Sequence, residues 1–310
     1  MSHSISTLIN FNRAATSEND LVSGEVEIVG AGCGELDLMT IKAARIVSQA
    51  EALVFDSLVS SDILSLVSPE CQRHFVGKRC GQPSYKQDDI NALLAKLATQ
   101  GLKVVRLKGG DPHIFGRGAE ESLYLAKKGV ISRFTPGVTA ALGCASTTGI
   151  PLTYRGTARS VTLVTGTRFI SEGNYQAPTQ WKALLAAQST LVFYMGKEQA
   201  AAISNGLLEV DAPADLPVAF VTNGGRENQL VTFADVTNMA DIAGTIKDSG
   251  PTLIIIGEVV AVGQELTELL STIDSSCADT RQASGLAHDV HMAHDDYMAQ
   301  GYHMAEVANG

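Results

Sequence analysis

The sequence lacks any hydrophobic run long enough to cross a membrane as a helix, which takes about 20 apolar residues. Its longest apolar stretch, Thr252 to Gly263, reads as a buried strand plus turn. It also lacks positive charge: 23 Lys and Arg stand against 33 Asp and Glu, a net charge of −10. That balance argues against a nucleic-acid or anionic-membrane partner. Paired-cysteine spacing is missing too. Cys33, Cys71, Cys80, Cys144 and Cys277 are odd in number and form no C-x-x-C motif, so reduced thiols are expected. Residues 1–23 hold Arg13 as their one basic residue and no apolar segment of the secretory type, so the expected location is the cytoplasm.

What is present is an alternation of strand and helix. Glu25 to Val29, Ala52 to Phe55, Lys103 to Leu107 and Ile131 to Phe134 read as strands. Leu38 to Gln49, Gln87 to Gln100 and Ala119 to Lys128 read as helices between them. Helices of about 10 to 15 residues between strands imply a mainly parallel sheet covered on both faces. Pro136-Gly137 breaks the pattern, and the small-residue stretch Thr139 to Gly149 predicts a helix at a domain junction. Beyond it, Val161 to Thr165, Thr190 to Tyr194, Pro217 to Thr222, Leu230 to Thr232 and Leu253 to Ile256 predict a second strand-rich unit. The expected fold class is α/β, with two α/β domains and a cleft between them.

The most informative stretch runs from Gly109 to Glu121, GGDPHIFGRGAEE, between a predicted strand and a predicted helix. Open α/β sheets bind ligands at that place. Gly109 and Gly110 let a ligand approach the backbone. Asp111 can accept hydrogen bonds, and Arg117 and Glu120 sit one helical turn apart on one side. A second small-residue turn, Gly30-Ala31-Gly32-Cys33-Gly34, closes the first strand. Glu35 stands where a dinucleotide fingerprint wants its third glycine, yet Asp56 lies where such a fold places its ribose-binding acid. A nicotinamide-dependent oxidoreductase therefore stays open on these residues alone.

The segment from Gly109 to Glu121 resembles the uroporphyrinogen-III C-methyltransferases, members of the tetrapyrrole methylases that use S-adenosylmethionine. Collinear blocks carry the resemblance from about Glu25 to about Val262. They include VGAGCG from Val29, FDSLVS from Phe55, GKRCG from Gly77, TPGVTA from Thr135, GIPLTYRG from Gly149, SVTLVTG from Ser160 and LVFYMG from Leu191. The resemblance implies two dissimilar α/β domains, a mainly parallel N-terminal sheet over residues 24–135 and a mixed C-terminal sheet over 136–270. The cofactor would lie in the interdomain cleft. Outside what the resemblance implies, composition makes residues 1–23 a flexible segment and 271–310 a polar tail.

It further implies two methyl transfers from S-adenosylmethionine to C2 and C7 of uroporphyrinogen III, giving precorrin-2, with a homodimer as the assembly and no metal requirement. Asp56 matches the proton acceptor and Lys78 the proton donor, while Arg117 and Glu120 match positions at the substrate. Gly30, Gly32, Cys33, Gly109, Gly110, Asp111, Ile114, Thr139, Ala140, Met195 and Gly224 fall at the methyl donor. Because the implied substrate carries carboxylates, guanidinium groups are expected around it. Arg79, Arg106, Arg155 and Arg159 are the further candidates.

The chain departs from the family pattern at five places. Cys33 replaces a proline, Ser57 an arginine, Pro83 a histidine, His113 a phenylalanine and Tyr154 a histidine. These departures motivate a further reading, a binding or sensing homologue that keeps the fold without turnover. A methylase for a later corrinoid intermediate or for a protein side chain is a separate alternative, against which GKRCG from Gly77 and the run from Gly109 to Glu121 argue. The short stretch before residue 24 holds no second nucleotide-binding module, so product oxidation and metal chelation are expected of other proteins. Sirohaem, cobalamin and haem d1 routes all begin with this step. The tail spaces His288, His291 and His294 three apart and Met292, Met298 and Met304 six apart; a solvated tail is expected, with metal binding as the alternative.

Overall fold

The computed structural model describes residues 21–77, 85–166, 180–248 and 250–283. Lys78, Arg79, Cys80 and Pro83 lie outside them, as do the histidines and methionines of the tail and all but three residues of the segment 1–23.

Five parallel strands form the first sheet: β1 (Val26–Gly30), β2 (Ala52–Phe55), β3 (Gln72–Phe75), β4 (Val104–Lys108) and β5 (Ser132–Thr135), in the order β3-β2-β4-β1-β5. Every residue of β1 and β4 is buried, as strands covered on both faces require. Successive side chains alternate between faces, so each strand feeds two cores. Val29, Leu53, Val105 and Leu107 pack with Ala43, Ile46 and Val47 of helix α1 (Ile41–Ser48). Val26, Ile28, Val54 and Val104 pack with Leu94 and Leu97 of α3 (Gln87–Thr99) and Leu125 of α4 (Gly118–Lys127). Thr40 starts α1, its side chain accepting from the Ala43 N–H at 3.1 Å. The short α2 (Ser61–Leu64) follows β2.

Connections leave β1 toward β2 but leave β4 toward β5. The order reverses between these neighbours, and this is where open sheets place ligands. The two loops are tied: Gly110 N–H donates to Gly32 O at 2.6 Å and Gly32 N–H to Gly110 O at 3.3 Å. Gly30 closes the same corner. A Cβ on Gly30 would stand 2.5 Å from Gly137 N and 2.6 Å from Gly110 O.

Helix α5 (Ala140–Thr148) leads to the second sheet. Its strands are β6 (Val161–Thr165), β7 (Thr190–Tyr194), β8 (Pro217–Thr222), β9 (Leu230–Asp235) and β10 (Thr252–Ile256), ordered β6-β7-β10-β8-β9. β6 and β7 run parallel and the remaining pairs antiparallel, the mixed sheet that the resemblance implies. Helices α6 (Trp181–Ala186), α7 (Ala200–Leu208) and α8 (Met239–Thr245) accompany it. Phe193, Phe220, Ile254 and Ile256 face Ile203, Leu207 and Met239 in one core.

Some boundaries differ from expectation. The predicted helix from Leu38 begins at Ile41, after a 3-10 turn at Leu36–Leu38. The apolar stretch from Thr252 is a strand only to Ile256, and Val259 opens helix α9 (Val259–Ala283) instead of a turn. Both sheets lie in one compact unit that ends at Gln264. From Glu265 the chain forms a second unit, whose part of α9 exposes Leu266, Leu269, Leu270 and Ile273.

Candidate functional site

A cavity of about 520 Å³ opens at the reversal point and is lined from both sheets. Gly32 and Cys33 enter from the loop after β1, and Asp56 and Leu58 from the loop after β2. The loop after β4 supplies Gly109, Gly110, Asp111, Ile114, Phe115 and Arg117. Thr139, Ala140 and Cys144 come from α5 and its entry, Tyr194 and Met195 from the end of β7, and Gly224 and Arg226 from the loop after β8.

Asp111 ties the walls together. Its Oδ1 accepts from His113 N–H at 2.8 Å and its Oδ2 from Gly137 N–H at 3.1 Å. Tyr194 does the same from the other sheet: its hydroxyl bonds Thr139 Oγ1 at 2.6 Å and accepts from Ala141 N–H at 2.9 Å. Tyr194 therefore satisfies an amide of the first turn of α5 that a cap residue would otherwise take. Its ring meets Phe115 at 4.9 Å. Burial raises the Tyr194 hydroxyl pKa, opposed by the bonds to Thr139 and Ala141. Phe115, Arg117 and Met195 all hold left-handed backbone, at φ 52°, 57° and 54°. Non-glycine residues adopt it at a cost and concentrate at functional sites.

Asp56 is fixed from three directions. Its Oδ1 accepts from Leu58 N–H at 3.0 Å, and Arg106 stands 3.5 Å from Oδ2. From across the cavity, Arg226 donates to Leu58 O at 2.8 Å and so holds the turn that carries Asp56. Arg117 and Glu120 form an exposed pair at 2.6 Å; that pairing lowers the Glu120 pKa and raises that of Arg117. Burial raises both cysteine thiols at the site, Cys144 to about 12 with Cys33 adding to the rise.

Of the eleven residues expected at the methyl donor, ten line the cavity. Gly30 instead sits behind it, where its lack of a side chain lets three backbone segments meet. Among the acid–base and substrate candidates, Asp56 and Arg117 line it and Glu120 reaches it through Arg117. Arg106 does not line it as substrate contact requires. Its side chain is 4% exposed, and its donors go to Glu121, Val54 O and Leu107 O. Arg155 and Arg159 are exposed away from the lining. Lys78 and Arg79 lie outside the described residues.

Sequence reasoning missed Lys108, Gln87, Phe115, Tyr194 and Arg226 at the cavity. Lys108 had a signal, since it is two residues from Arg106 on one strand and so shares its face. Arg226 had none. Among the departures within the described residues, Cys33 alone touches the cavity. His113 stacks on Phe134 at 4.3 Å, and Ser57 and Tyr154 are exposed. No group of three or more His, Cys, Asp or Glu among the described residues is arranged to hold a metal ion.

A parallel sheet with a glycine-lined corner at its reversal point, closed by a mixed sheet and furnished with an aspartate and an arginine, defines a two-sheet α/β enzyme that handles small molecules. The chain belongs to the tetrapyrrole (corrin/porphyrin) methylases, whose family pattern it matches over residues 25–240. It is 45% identical over 244 residues to siroheme synthase 2 of Pectobacterium atrosepticum, covering 79% of this chain and 52% of that protein. The chain thus spans about half the length of the curated relatives it matches. The uroporphyrin-III C-methyltransferase of Thermus thermophilus, solved with S-adenosylhomocysteine, superposes with a TM-score of 0.65 at 35% identity, covering 77% of this chain and 99% of that one. A cobalt precorrin-4 methyltransferase shares the fold with a TM-score of 0.66 at 22% identity, over 76% of this chain and 95% of that one. This membership overturns the nicotinamide reading of the Gly30 turn and Asp56.

The family's methyl donor is S-adenosylmethionine, and the cavity fits it. Gly224 has no room for a side chain, since a Cβ would run into Cys144 Sγ. At about 520 Å³ the space is of the size that ligands of this class need. Apolar walls from Ile114, Met195 and Val221 stand beside the Asp111 carboxylate and glycine backbone.

Proposed function

We propose that the protein transfers methyl groups from S-adenosylmethionine to C2 and C7 of uroporphyrinogen III, forming precorrin-2. The observation that carries this reading is the sharing of one cavity by the donor loops, Asp56 and Arg117. The Thermus relative solved with S-adenosylhomocysteine supports the donor assignment.

The donor supplies a methyl group already activated by its sulfonium charge, so the protein's part is alignment. Gly109, Gly110, Thr139, Ala140, Met195 and Gly224 hold it, and the ties of Asp111 and Tyr194 keep those walls at a fixed spacing. Arg117 pairs with an acceptor carboxylate, exchanging part of its contact with Glu120. After the pyrrole carbon has gained its methyl, Asp56 takes the carbon-bound proton that must leave for the ring to return to neutrality. Lys78 is the proton donor in this scheme. The residues divide into domains at 24–135 and 136–270, and the assembly is a cytoplasmic homodimer, as the family resemblance implies.

The test is anaerobic incubation of the protein with uroporphyrinogen III and methyl-labelled S-adenosylmethionine, followed by mass spectrometry of the tetrapyrrole. Two added methyls are expected. No methyl with S-adenosylhomocysteine still bound would point to a later corrinoid acceptor or a binding role, and would sink this assignment.

A further inference from the structure

Strand β4 carries two cations on one face, Arg106 and Lys108, and helix α4 covers that face with Glu121, which is fully buried. Oε1 of Glu121 accepts from Lys108 Nζ at 2.9 Å, Arg106 Nε at 3.2 Å and Gln87 Nε2 at 3.1 Å. Two cations therefore share one oxygen of one carboxylate. The two differ in what they have left. Arg106 directs its remaining donors to Val54 O, Leu107 O and the side of Asp56. The Lys108 ammonium has three donors, and among the described residues Glu121 alone accepts from it.

Lys108 nonetheless lines the cavity, beside Asp56 and Gln87, with a side chain only 7% exposed. A buried ammonium with unmet donors is costly. A carboxylate arriving at this floor would accept from those donors. Burial and then Arg106 lower the Lys108 pKa while Glu121 and, less strongly, Asp56 oppose them, so a further carboxylate placed here also favours the charged form.

We propose that Lys108 binds a carboxylate of the acceptor at the cavity floor, with Glu121 as the positioning residue that aims its ammonium. The inference rests on the acceptor being the polycarboxylate of the preceding section. It gives that molecule a second anchor, near Asp56, in addition to Arg117 at the rim. Two anchors fix which ring edge faces the donor; one leaves the macrocycle free to turn.

The experiment measures binding of uroporphyrin III, the stable oxidised octacarboxylate, by fluorescence quenching with S-adenosylhomocysteine saturating. Wild type, K108M, E121Q and K108M/E121Q are compared, and wild-type methyl transfer is assayed alongside. Uroporphyrin affinity is expected to fall about tenfold or more in K108M, as for loss of a charge-assisted contact. S-adenosylhomocysteine affinity should stay within about twofold. E121Q should weaken uroporphyrin in the same direction, and the double variant should match K108M, because Glu121 acts through Lys108. Unchanged uroporphyrin affinity in a Lys108 variant that binds S-adenosylhomocysteine normally overturns the proposal. So does loss of S-adenosylhomocysteine binding in both Lys108 variants, which would give the pair a purely structural role. Wild type that binds uroporphyrin but transfers no methyl would overturn the methylation reading instead, leaving the Lys108 comparison readable.

Discussion

Asp56 illustrates how a single carboxylate becomes a candidate base: a neighbouring amide, a buried guanidinium and an arginine from the opposite wall all fix where it points. Replacing it by Asn keeps the shape and removes the proton acceptor. D56N should lower methyl transfer about 10²- to 10⁴-fold while calorimetry finds S-adenosylhomocysteine affinity unchanged; equal losses in both would show that the residue serves binding instead. The cysteines make a different prediction. With its thiol pushed up to about 12, Cys144 is almost entirely protonated at pH 8, and the thiolate is the reactive form. Iodoacetamide at pH 8 should therefore modify Cys144 at least about a thousandfold more slowly than an unperturbed thiol of pKa near 8.5, and the rate should climb as pH rises toward 12. Labelling at the free-thiol rate would refute its burial. At this scale the sequence was legible where chemistry and motif coincide, as at Asp56, Asp111 and Met195. It was not legible at Arg106, because a guanidinium on a strand can face a ligand or a buried carboxylate, and only the path of the covering helix decides.

Elements show why the corner between β1 and β4 had to be built from glycine. Gly30 lets the loops after β1, β4 and β5 touch through backbone alone. G30A would force them apart, costing about 1–3 kcal/mol as overpacking does, and a denaturant titration should find the midpoint lowered with the slope unchanged. Most strands were legible in the sequence because apolar residues crowd them on both faces; β6, β7 and β8 fall at their expected limits. The strand β3 was not, since QRHF is half-exposed at a sheet edge and carries no apolar pattern. Helix α9 was hidden by the same rule in reverse. Val259 and Val260 are buried and β-branched, so they continue the apolar run of β10 without any change of period, and only Gly257, at φ 139°, marks the break.

At the scale of the molecule, the cavity couples two sheets that share no strand pairing. A ligand touching both walls should stabilise them together: S-adenosylhomocysteine at 100 times its dissociation constant adds about 2.7 kcal/mol, or about 5–10 °C in a domain of this size, within one unfolding transition. Two transitions, only one of them shifted, would mean that a single sheet carries the site. Arg226 reaches from the loop after β8 to Leu58 in the opposite half, so R226A should speed amide exchange at Leu58 without changing that of the β4 core. The strand order carries a last consequence, for the chain as it is made. β1 is wholly buried and lies between β4 and β5, whose partners for Val26 are Val104 and Ser132. At about 5–20 residues per second, a ribosome needs some 5–20 s to supply both neighbours. Until β5 arrives at least one edge of this strand stays bare on the nascent chain, so the emerging N-terminal half must be kept from pairing elsewhere long before there is a site to protect.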